Sequence, residues 1–391
     1  MPSFSGLLIV VAVAFAVPFV LGLFPRVRVP STVLEIVVGI AIGPAVLKVV
    51  EPDEAIETIS VIGLAFLLFL SGLEIDFKRL RGHPLRVTGA GFVVSFGVAI
   101  AISLLLKAGG LVDTPLLVAI ILCATSLGVV VAVLKDAGEV GSTFGQLVIA
   151  AGSIADFGAI ILLSIFFSGE GGIGSTLLLL GALLAIGAAV LLAVGGASRS
   201  AIIRADILRL QDTTAQIRVR GAIVLVVGFS AIAASLGLEA ILGAFAAGAV
   251  LSLVDRDEVM NHPTFRVKLE AIGFGFLIPV FFVTSGLKFD LTALLAKPSN
   301  VAMVPVFLLA LLLVRGIPAL LYRGTLGTRR TLVTALLQAT SLPFIVAATA
   351  IGLNLKLLDG AQAAALIGAG LLSVLLFPAL ALGILRGGEA S

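Results

Sequence analysis

A single carboxylate and an interrupted apolar segment suggest a site that could bind a cation or a proton. Residues 142–168 are apolar and contain one ionisable group, Asp156, near their middle. The preceding apolar segment, 114–134, is interrupted by the sequence ATSLG at 124–128. Thr125 lies about ten residues before the turn between the segments and Asp156 about fifteen after it, so at ~1.5 Å per residue both reach a similar depth. Because a carboxylate at the centre of a bilayer is costly, it indicates a functional site.

The oxygen atoms near Asp156 suit a small monovalent cation. The hydroxyls of Thr125 and Ser126 are neutral oxygen ligands, and Thr340 and Ser341 repeat the same pair of residue types near the other end of the chain. Asp156 supplies the negative charge, so it can hold a proton or an alkali cation but not both.

Two further residues could support this site. Ser153 lies three residues before Asp156 on roughly the same helix face, where it is either a ligand or a small packing residue. Arg315 lies inside the apolar segment 299–322, eight residues before Arg323. We expect Arg315 to balance carboxylate or carbonyl dipoles in the core; the alternative is an interfacial arginine on a tilted helix.

The elements that position these residues are predicted to be membrane helices. Hydrophobic residues make up 60% of the 391-residue chain and charged residues 12%, with a mean hydropathy of +1.25. These values indicate an all-α polytopic membrane protein with thirteen transmembrane helices. The predicted spans are 4–24, 32–50, 56–73, 85–106, 114–134, 142–168, 173–195, 218–236, 238–254, 266–287, 299–322, 331–353 and 361–385.

The same composition excludes several classes of function. The net charge of +3 reflects loop arginines at a lipid bilayer, so no nucleic-acid partner is expected. The spans contain no nucleophile–base pair and no cluster of metal ligands, which predicts neither an enzyme nor a cofactor.

The basic residues predict the orientation. With the N-terminus outside, five of the 25 Lys and Arg residues fall in outer loops: Lys48, Lys107, Lys288, Lys297 and Lys356. All the others fall in inner loops, except Arg315 in its span. This bias predicts a multi-pass protein of the cell (inner) membrane with its N-terminus outside and its C-terminus in the cytoplasm.

Three matched segments indicate an internal repeat. They are LEIVVGIAIGPAVL at 34–47 with LEAILGAFAAGAVL at 238–251, SGLEID at 71–76 with SGLKFD at 285–290, and ATSL at 124–127 with ATSL at 339–342. The order is the same in both halves, and an odd number of spans separates them. We therefore predict two inverted six-helix repeats, with the seventh span as connector.

The repeated ATSL segments are the predicted helix breaks. Gly128 follows the first and Pro343 the second, and both residue types disfavour a continuous helix. Two crossing broken helices would present carbonyl groups and helix ends to an ion near the membrane midplane.

The segments PSTVLEIVVGIAIGP, FLLFLSGLEIDF, ATSLGVVVAVL, AGSIADFGAI and IPVFFVTSGLKFDL resemble those of the monovalent cation:proton antiporter family, specifically its cation/proton antiporter-2 branch. The resemblance runs from about Pro30 to Leu385. It implies exchange of Na⁺ or K⁺ for protons, with Asp156 as the ion-binding carboxylate, Thr125-Ser126 as the unwound segment and Arg315 as the basic residue of the core.

The resemblance also implies a domain organisation. A homodimer would form through a dimerisation domain at about 1–82 and 218–296. A linker helix at about 173–195 would join it to a core at about 85–168 and 299–385 that moves like an elevator. The chain is expected to be a single transporter unit over 1–391 without a soluble regulatory domain.

Two departures from the family pattern bear on stoichiometry. Ala155 stands where many members have a second acid or an amide, and residues 338–343 contain no acid. One titratable site predicts electroneutral exchange of one cation for one proton. The preference among Na⁺, K⁺ and Li⁺ stays open.

Two other functions remain as alternatives. A cation channel or efflux subunit would need a continuous polar lining, and the sparse hydroxyls argue against one. A proton-coupled carrier of another small solute would need a larger polar pocket or more basic residues in the core than Arg315 alone.

Overall fold

All regular structure in the described part of the chain is helical. The computed structural model describes residues 4–24, 29–74, 83–167, 173–198, 209–210, 213–254 and 263–386. The helices are α1 (Phe4–Leu23), α2 (Ser31–Ile42), α3 (Glu54–Leu73), α4 (His83–Ala108), α5 (Pro115–Cys123), α6 (Leu127–Asp136), α7 (Thr143–Phe167), α8 (Ile173–Ser198), α9 (Ile217–Ser235), α10 (Ala240–Val254), α11 (Pro263–Ile272), α12 (Ile278–Leu287), α13 (Leu291–Leu295), α14 (Pro298–Gly316), α15 (Arg323–Gln338), α16 (Pro343–Asn354) and α17 (Gly360–Arg386). A π-helical segment, Gly273–Leu277, joins α11 to α12, and a 3₁₀ segment, Ile317–Tyr322, joins α14 to α15.

The helices confirm the predicted class of multi-pass membrane protein. Within the described residues, nine helical stretches are long and apolar enough to cross a membrane, and three shorter apolar helices accompany them. One stretch, Pro298–Asn354, covers two predicted spans. The exact number of thirteen spans and the inverted repeat stay predictions. Residues 75–76, which end the first SGLEID segment, lie outside the described part.

The second predicted span is shorter than expected. Helix α2 ends at Ile42, and turns follow over residues 43–47, so the prediction of a span over 32–50 was wrong at its C-terminal end. Gly43 adopts an extended conformation with ψ 179°. It precedes Pro44, which removes a backbone donor and disfavours helix at the residue before it.

The chain packs into two compact units. The first unit contains Met1–Ala14, Pro52–Phe77 and Ser164–Thr284, and the second contains Phe15–Glu51, Lys78–Leu163 and Ser285–Ser391. All the residues predicted to bind an ion belong to the second unit. The boundaries predicted for the dimerisation domain, linker and core stay predictions.

An apolar cluster holds four helices of the second unit together. It joins α6 and α7, which follow the first ATSL segment, to α15 and α17. Its most buried members are Val130, Leu134, Phe144, Val148, Val333, Leu337, Ala339 and Ala381. Because α6 and α15 adjoin the two ATSL segments, this packing fixes one side of each helix break.

Two consecutive arginines of α15 contact the turn after α6 and the last turn of α17. Arg330 Nη2 donates to Glu139 Oε1 at 2.8 Å, and its guanidinium lies 5.7 Å from the ring centroid of Phe144. Arg329 donates to the backbone oxygens of Ile384 and Leu385, the final carbonyls of α17. These contacts satisfy groups that the helix end leaves without partners.

Candidate functional site

The first ATSL segment interrupts a helix, as predicted. Helix α5 ends at Cys123 and α6 begins at Leu127, so Ala124, Thr125 and Ser126 are not helical. Gly128 lies inside α6, so its predicted role as the helix-breaking residue was wrong. The interruption instead coincides with hydrogen bonds that the backbone amides make outside their own helix.

Two backbone amides at this break donate hydrogen bonds outside their own helix. Thr125 N donates to Asp156 Oδ1 at 3.0 Å, and Ser126 N donates to Thr340 O at 2.7 Å. In a continuing helix these amides would donate to carbonyls four residues earlier. The last carbonyls of α5 therefore lie at a helix end, where the dipole is negative and favours a cation.

The second ATSL segment also interrupts a helix where predicted. Helix α15 ends at Gln338, and α16 begins at Pro343, which occupies a first-turn position that needs no amide donor. Ser341 N donates to Ser373 Oγ at 3.0 Å, and Ser373 Oγ donates to Ser341 O at 2.9 Å. The hydroxyl of Thr340 donates back to Leu336 O at 3.2 Å.

Asp156 lies on α7 directly beside the first break. Its side chain is half-buried, and it accepts the amide hydrogen of Thr125. Gly152, one turn earlier on α7, faces the same break. A Cβ at Gly152 would lie 3.1 Å from Leu127 Cδ1 and 3.8 Å from Thr125 Cγ2. The half-buried carboxylate retains access to solvent or ions while a backbone donor holds its orientation.

Arg315 lies in the interior of the second unit and not at its surface. Its Nε donates to Thr125 Oγ1 at 3.0 Å, and its Nη1 donates to Ser95 Oγ at 3.1 Å. Ser95 Oγ in turn donates to Val314 O at 2.7 Å. Arg315 and Asp156 also attract each other electrostatically.

Thr125 connects the two charges with the second break. Its amide binds Asp156, while its hydroxyl accepts from Arg315 and donates to Gln338 O at 2.7 Å. The hydroxyl hydrogen is therefore already used, and one oxygen lone pair remains for a cation. In this arrangement Thr125 orients the side chains of Asp156 and Arg315, and its remaining lone pair is available to an ion.

Ser153 does not join this network in the described contacts. Its hydroxyl donates to Ile149 O at 3.0 Å, the carbonyl four residues earlier in α7. This bond supports the packing interpretation, although a lone pair remains on its oxygen. Its role as an ion ligand stays a prediction, as do the ligand roles of Ser126 and Ser341.

The donor set favours a monovalent cation. Within the described residues, no group of three or more His, Cys, Asp or Glu side chains could hold a metal ion. One carboxylate with neutral hydroxyl and carbonyl oxygens matches the low charge of an alkali ion better than that of a divalent metal.

Three residues in this region were not assigned from the sequence. Ser95 binds Arg315, Gln338 O binds Thr125, and Ser373 binds the second break. Single serines inside apolar spans are common as packing residues, so Ser95 and Ser373 carried little signal. Gln338 could have been identified from its position, because it directly precedes the second ATSL segment.

Comparisons with known proteins show the family of this chain. A profile of the family described as sodium/hydrogen exchanger, transmembrane, matches residues 11–382. The chain is 34% identical over 380 residues to the putative Na(+)/H(+) antiporter YjbQ of Bacillus subtilis (strain 168), covering 93% of this chain and 60% of YjbQ. It is 30% identical over 271 residues to the Na(+)/H(+)-K(+) antiporter GerN of Bacillus cereus, covering 67% of this chain and 66% of GerN. The chain thus spans less than two thirds of the length of either relative.

A solved structure shares the fold. The sodium proton antiporter MjNhaP1 from Methanocaldococcus jannaschii matches with a TM-score of 0.66 at 17% identity, covering 98% of both chains. This likeness confirms the predicted fold class, while the repeat arrangement within it stays a prediction.

Proposed function

The chain belongs to the sodium/hydrogen exchanger family, as its motifs suggested, and on this premise we propose that it exchanges Na⁺ or K⁺ for protons across a membrane. The observation that carries the proposal is the half-buried carboxylate of Asp156 held by the amide of a broken helix. A protonated Asp156 releases its proton when a cation binds, and the reverse exchange occurs on the other side of the membrane.

The surrounding residues suit this competition. The C-terminal end of α5 and the remaining lone pair of Thr125 offer oxygen ligands beside Asp156. Arg315 is a fixed cation in the same network. It therefore repels a second cation that no carboxylate would neutralise. One carboxylate therefore binds one monovalent charge at a time.

We also propose that exchange follows an elevator-type alternating access in a homodimer. The dimerisation domain at about 1–82 and 218–296 stays fixed, and the core at about 85–168 and 299–385 moves, with the helix at about 173–195 linking them. Family membership supports this arrangement. A crosslink between two copies through single cysteines placed in the dimerisation domain tests the dimer.

The proposed orientation places the N-terminus outside and the C-terminus in the cytoplasm of the cell (inner) membrane. We expect cysteines replacing Lys107 and Lys297 to be labelled by an impermeant maleimide in intact cells, and a cysteine replacing Arg209 to be labelled only after the membrane is opened. Positively charged loops remain preferentially inside. Labelling at 209 from outside would contradict the orientation. Several of the inner basic residues, including Arg79 and Arg199, lie outside the described residues.

One reconstitution experiment separates antiport from the alternatives. Purified protein in proteoliposomes, given an imposed proton gradient, should take up labelled Na⁺ or K⁺ only while the gradient lasts. A channel would conduct the cation without a proton gradient, and a carrier of another solute would leave the labelled cation outside. An ion-competition series with Na⁺, K⁺ and Li⁺ then ranks the substrates.

We expect the exchange to be electroneutral, with one cation moving for one proton. Ala155 cannot titrate, and Arg315 cannot serve as a proton carrier because a guanidinium stays protonated. The rate of Na⁺ exchange in proteoliposomes should therefore not change when the membrane potential is clamped at different values with potassium and valinomycin.

A second titrating carboxyl would change this stoichiometry, and Glu35 is the first one to test. It is a buried carboxyl on α2, and one of its oxygens has no hydrogen-bond partner among the described residues. If the exchange rate changes steadily with voltage, the one-for-one assignment is wrong. The variants Glu35→Gln and Glu239→Gln then distinguish a second titrating carboxyl at either position from a second cation at Asp156.

A further inference from the structure

We propose that Ser95 is a positioning residue of the ion site: it holds the guanidinium of Arg315 in place and so leaves Asp156 available to a cation. The inference rests on the proposed exchange function and deepens it. Ser95 lies on α4 and is fully buried, and Arg315 is 2% exposed. The Ser95 hydroxyl contacts two consecutive residues of α14: it donates to Val314 O at 2.7 Å and accepts from Arg315 Nη1 at 3.1 Å.

A proline after α14 explains why Val314 O needs this donor. In a continuing helix the carbonyl of residue 314 would accept from the amide of residue 318. Residue 318 is proline, which has no amide hydrogen, and the preceding amide, of Ile317, donates to Leu313 O. The Ser95 hydroxyl therefore supplies the donor that Pro318 removes. Because its one hydrogen is used on Val314 O, its oxygen can only accept from the guanidinium.

Two hydroxyls hold the guanidinium of Arg315 at two points. Its Nε donates to Thr125 Oγ1 at 3.0 Å, and its Nη1 donates to Ser95 Oγ. Hydrogen bonds from two different nitrogens fix the rotation of the planar group as well as its position. A single bond at Nε would leave the plane able to turn about that bond. Ser95 thus determines where the positive charge of Arg315 is directed.

The direction of this charge matters because the carboxylate of Asp156 is bound to the same residue, Thr125. The carboxylate accepts from the Thr125 amide, while the Thr125 hydroxyl accepts from Arg315. The opposite charges of Arg315 and Asp156 attract each other. A guanidinium released from Ser95 would turn toward the carboxylate and compete with the cation, because guanidinium and carboxylate groups pair strongly. With Ser95 in place, the two hydroxyls accept from the guanidinium and the carboxylate stays available to the cation.

Transport by Ser95→Ala tests this role in proteoliposomes, with whichever of Na⁺ and K⁺ the wild type exchanges. We expect the KM for the cation to rise by about tenfold, the scale of one hydrogen bond to a charged group. The kcat should stay within about twofold of wild type, because a saturating cation neutralises the carboxylate and removes the competing pair. Ser95→Thr keeps the hydroxyl and should restore the KM. An unchanged KM in Ser95→Ala would overturn the proposal.

The matched control is Ser103→Ala, the same substitution about two turns further along α4. Ser103 is also fully buried, and its hydroxyl has no hydrogen-bond partner among the described residues. We expect its KM and kcat to stay at the wild-type values. A merely structural role of Ser95 would lower the fraction of active protein, and so the apparent kcat, without raising the KM.

The double variant Ser95→Ala/Pro318→Ala separates the two hydrogen bonds of Ser95. Alanine at position 318 returns an amide hydrogen to Val314 O, but nothing returns the acceptor for Arg315 Nη1. The KM should therefore stay raised relative to Pro318→Ala alone, and this comparison also serves if Ser95→Ala by itself does not fold. Equal KM values in these two variants would mean that Ser95 only binds the Val314 carbonyl, and would overturn the proposal.

Crystal structures of the wild type and of Ser95→Ala provide a test that does not depend on transport. In the variant we expect Arg315 Nη1 to lie more than about 3.5 Å from the place of the missing hydroxyl, with the guanidinium turned toward Asp156. A guanidinium that keeps its wild-type position would overturn the proposal, whatever the protein transports. A wild type that exchanges neither cation would instead contradict the proposed function, and this structural comparison would still decide the role of Ser95.

Discussion

Replacing Asp156 with asparagine is expected to abolish cation/proton exchange while leaving the protein folded. Asparagine keeps the size of the side chain and an oxygen that can still accept from Thr125 N, so the bond to the broken helix survives. An amide neither titrates nor carries the negative charge that attracts a cation. We therefore expect the exchange rate in proteoliposomes to fall below about 1% of wild type.

The matched control is Asp113→Asn, the same substitution in the same unit. Asp113 is exposed and accepts from Gln362 Nε2 at 3.4 Å, away from the helix breaks. We expect this variant to exchange at close to the wild-type rate. Both variants should elute as monodisperse protein with melting temperatures near that of the wild type. Substantial exchange by a well-folded Asp156→Asn variant would show that the ion binds elsewhere.

The candidate site could be proposed from the sequence because its polar residues contradict the apolar segments around them. Asp156 and the two ATSL segments stand out because a membrane helix gains nothing from a carboxylate or a broken hydrogen-bond ladder. The sequence therefore identified where α5 and α15 end. It did not identify how the breaks are joined, because the bond from Ser126 N to Thr340 O links backbone atoms that any residue type would supply.

Other features were missed because their residue types have several common uses. Ser95 binds Arg315, but a serine in an apolar span is more often a packing residue. Gly128 was assigned the break because glycine disfavours helix, yet it lies in helical conformation within α6. The turn after α2 could have been predicted, since Gly43 directly precedes Pro44, but the uninterrupted apolar composition of 32–50 outweighed that signal.

The matched segments SGLEID and SGLKFD share the sequence SGL, and the structure shows what the glycine of each SGL contacts. A Cβ at Gly72 would lie 2.2 Å from Phe245 O, so α3 and α10 touch through their backbones in the first unit. In the second unit, a Cβ at Gly286 would lie 2.2 Å from Ile36 O on α2. Each SGL glycine thus packs against a helix that overlaps one of the other pair of matched segments. Sequence similarity alone indicated a repeat but not that it marks close helix crossings.

Replacing Gly248 with leucine is expected to prevent the first unit from folding. Gly248 lies on α10 opposite Gly72, and a Cβ there would lie 2.0 Å from Phe69 O and 2.9 Å from Leu73 N. Real Cβ atoms do not approach backbone this closely, and the obstructing atoms cannot rotate away as a side chain could. The helices must separate, which exposes their packed faces and costs more than the ~1–3 kcal/mol typical of overpacking.

The matched control for this substitution is Gly228→Leu on the neighbouring helix α9. A Cβ at Gly228 meets nothing within 4 Å, so the leucine has room. By size-exclusion chromatography of solubilised protein, we expect Gly248→Leu to lose most of the monodisperse peak and Gly228→Leu to keep it. Gly248→Ala should fall between them, because it adds the obstructed Cβ without the larger side chain. A wild-type yield from Gly248→Leu would mean that α3 and α10 do not cross this closely.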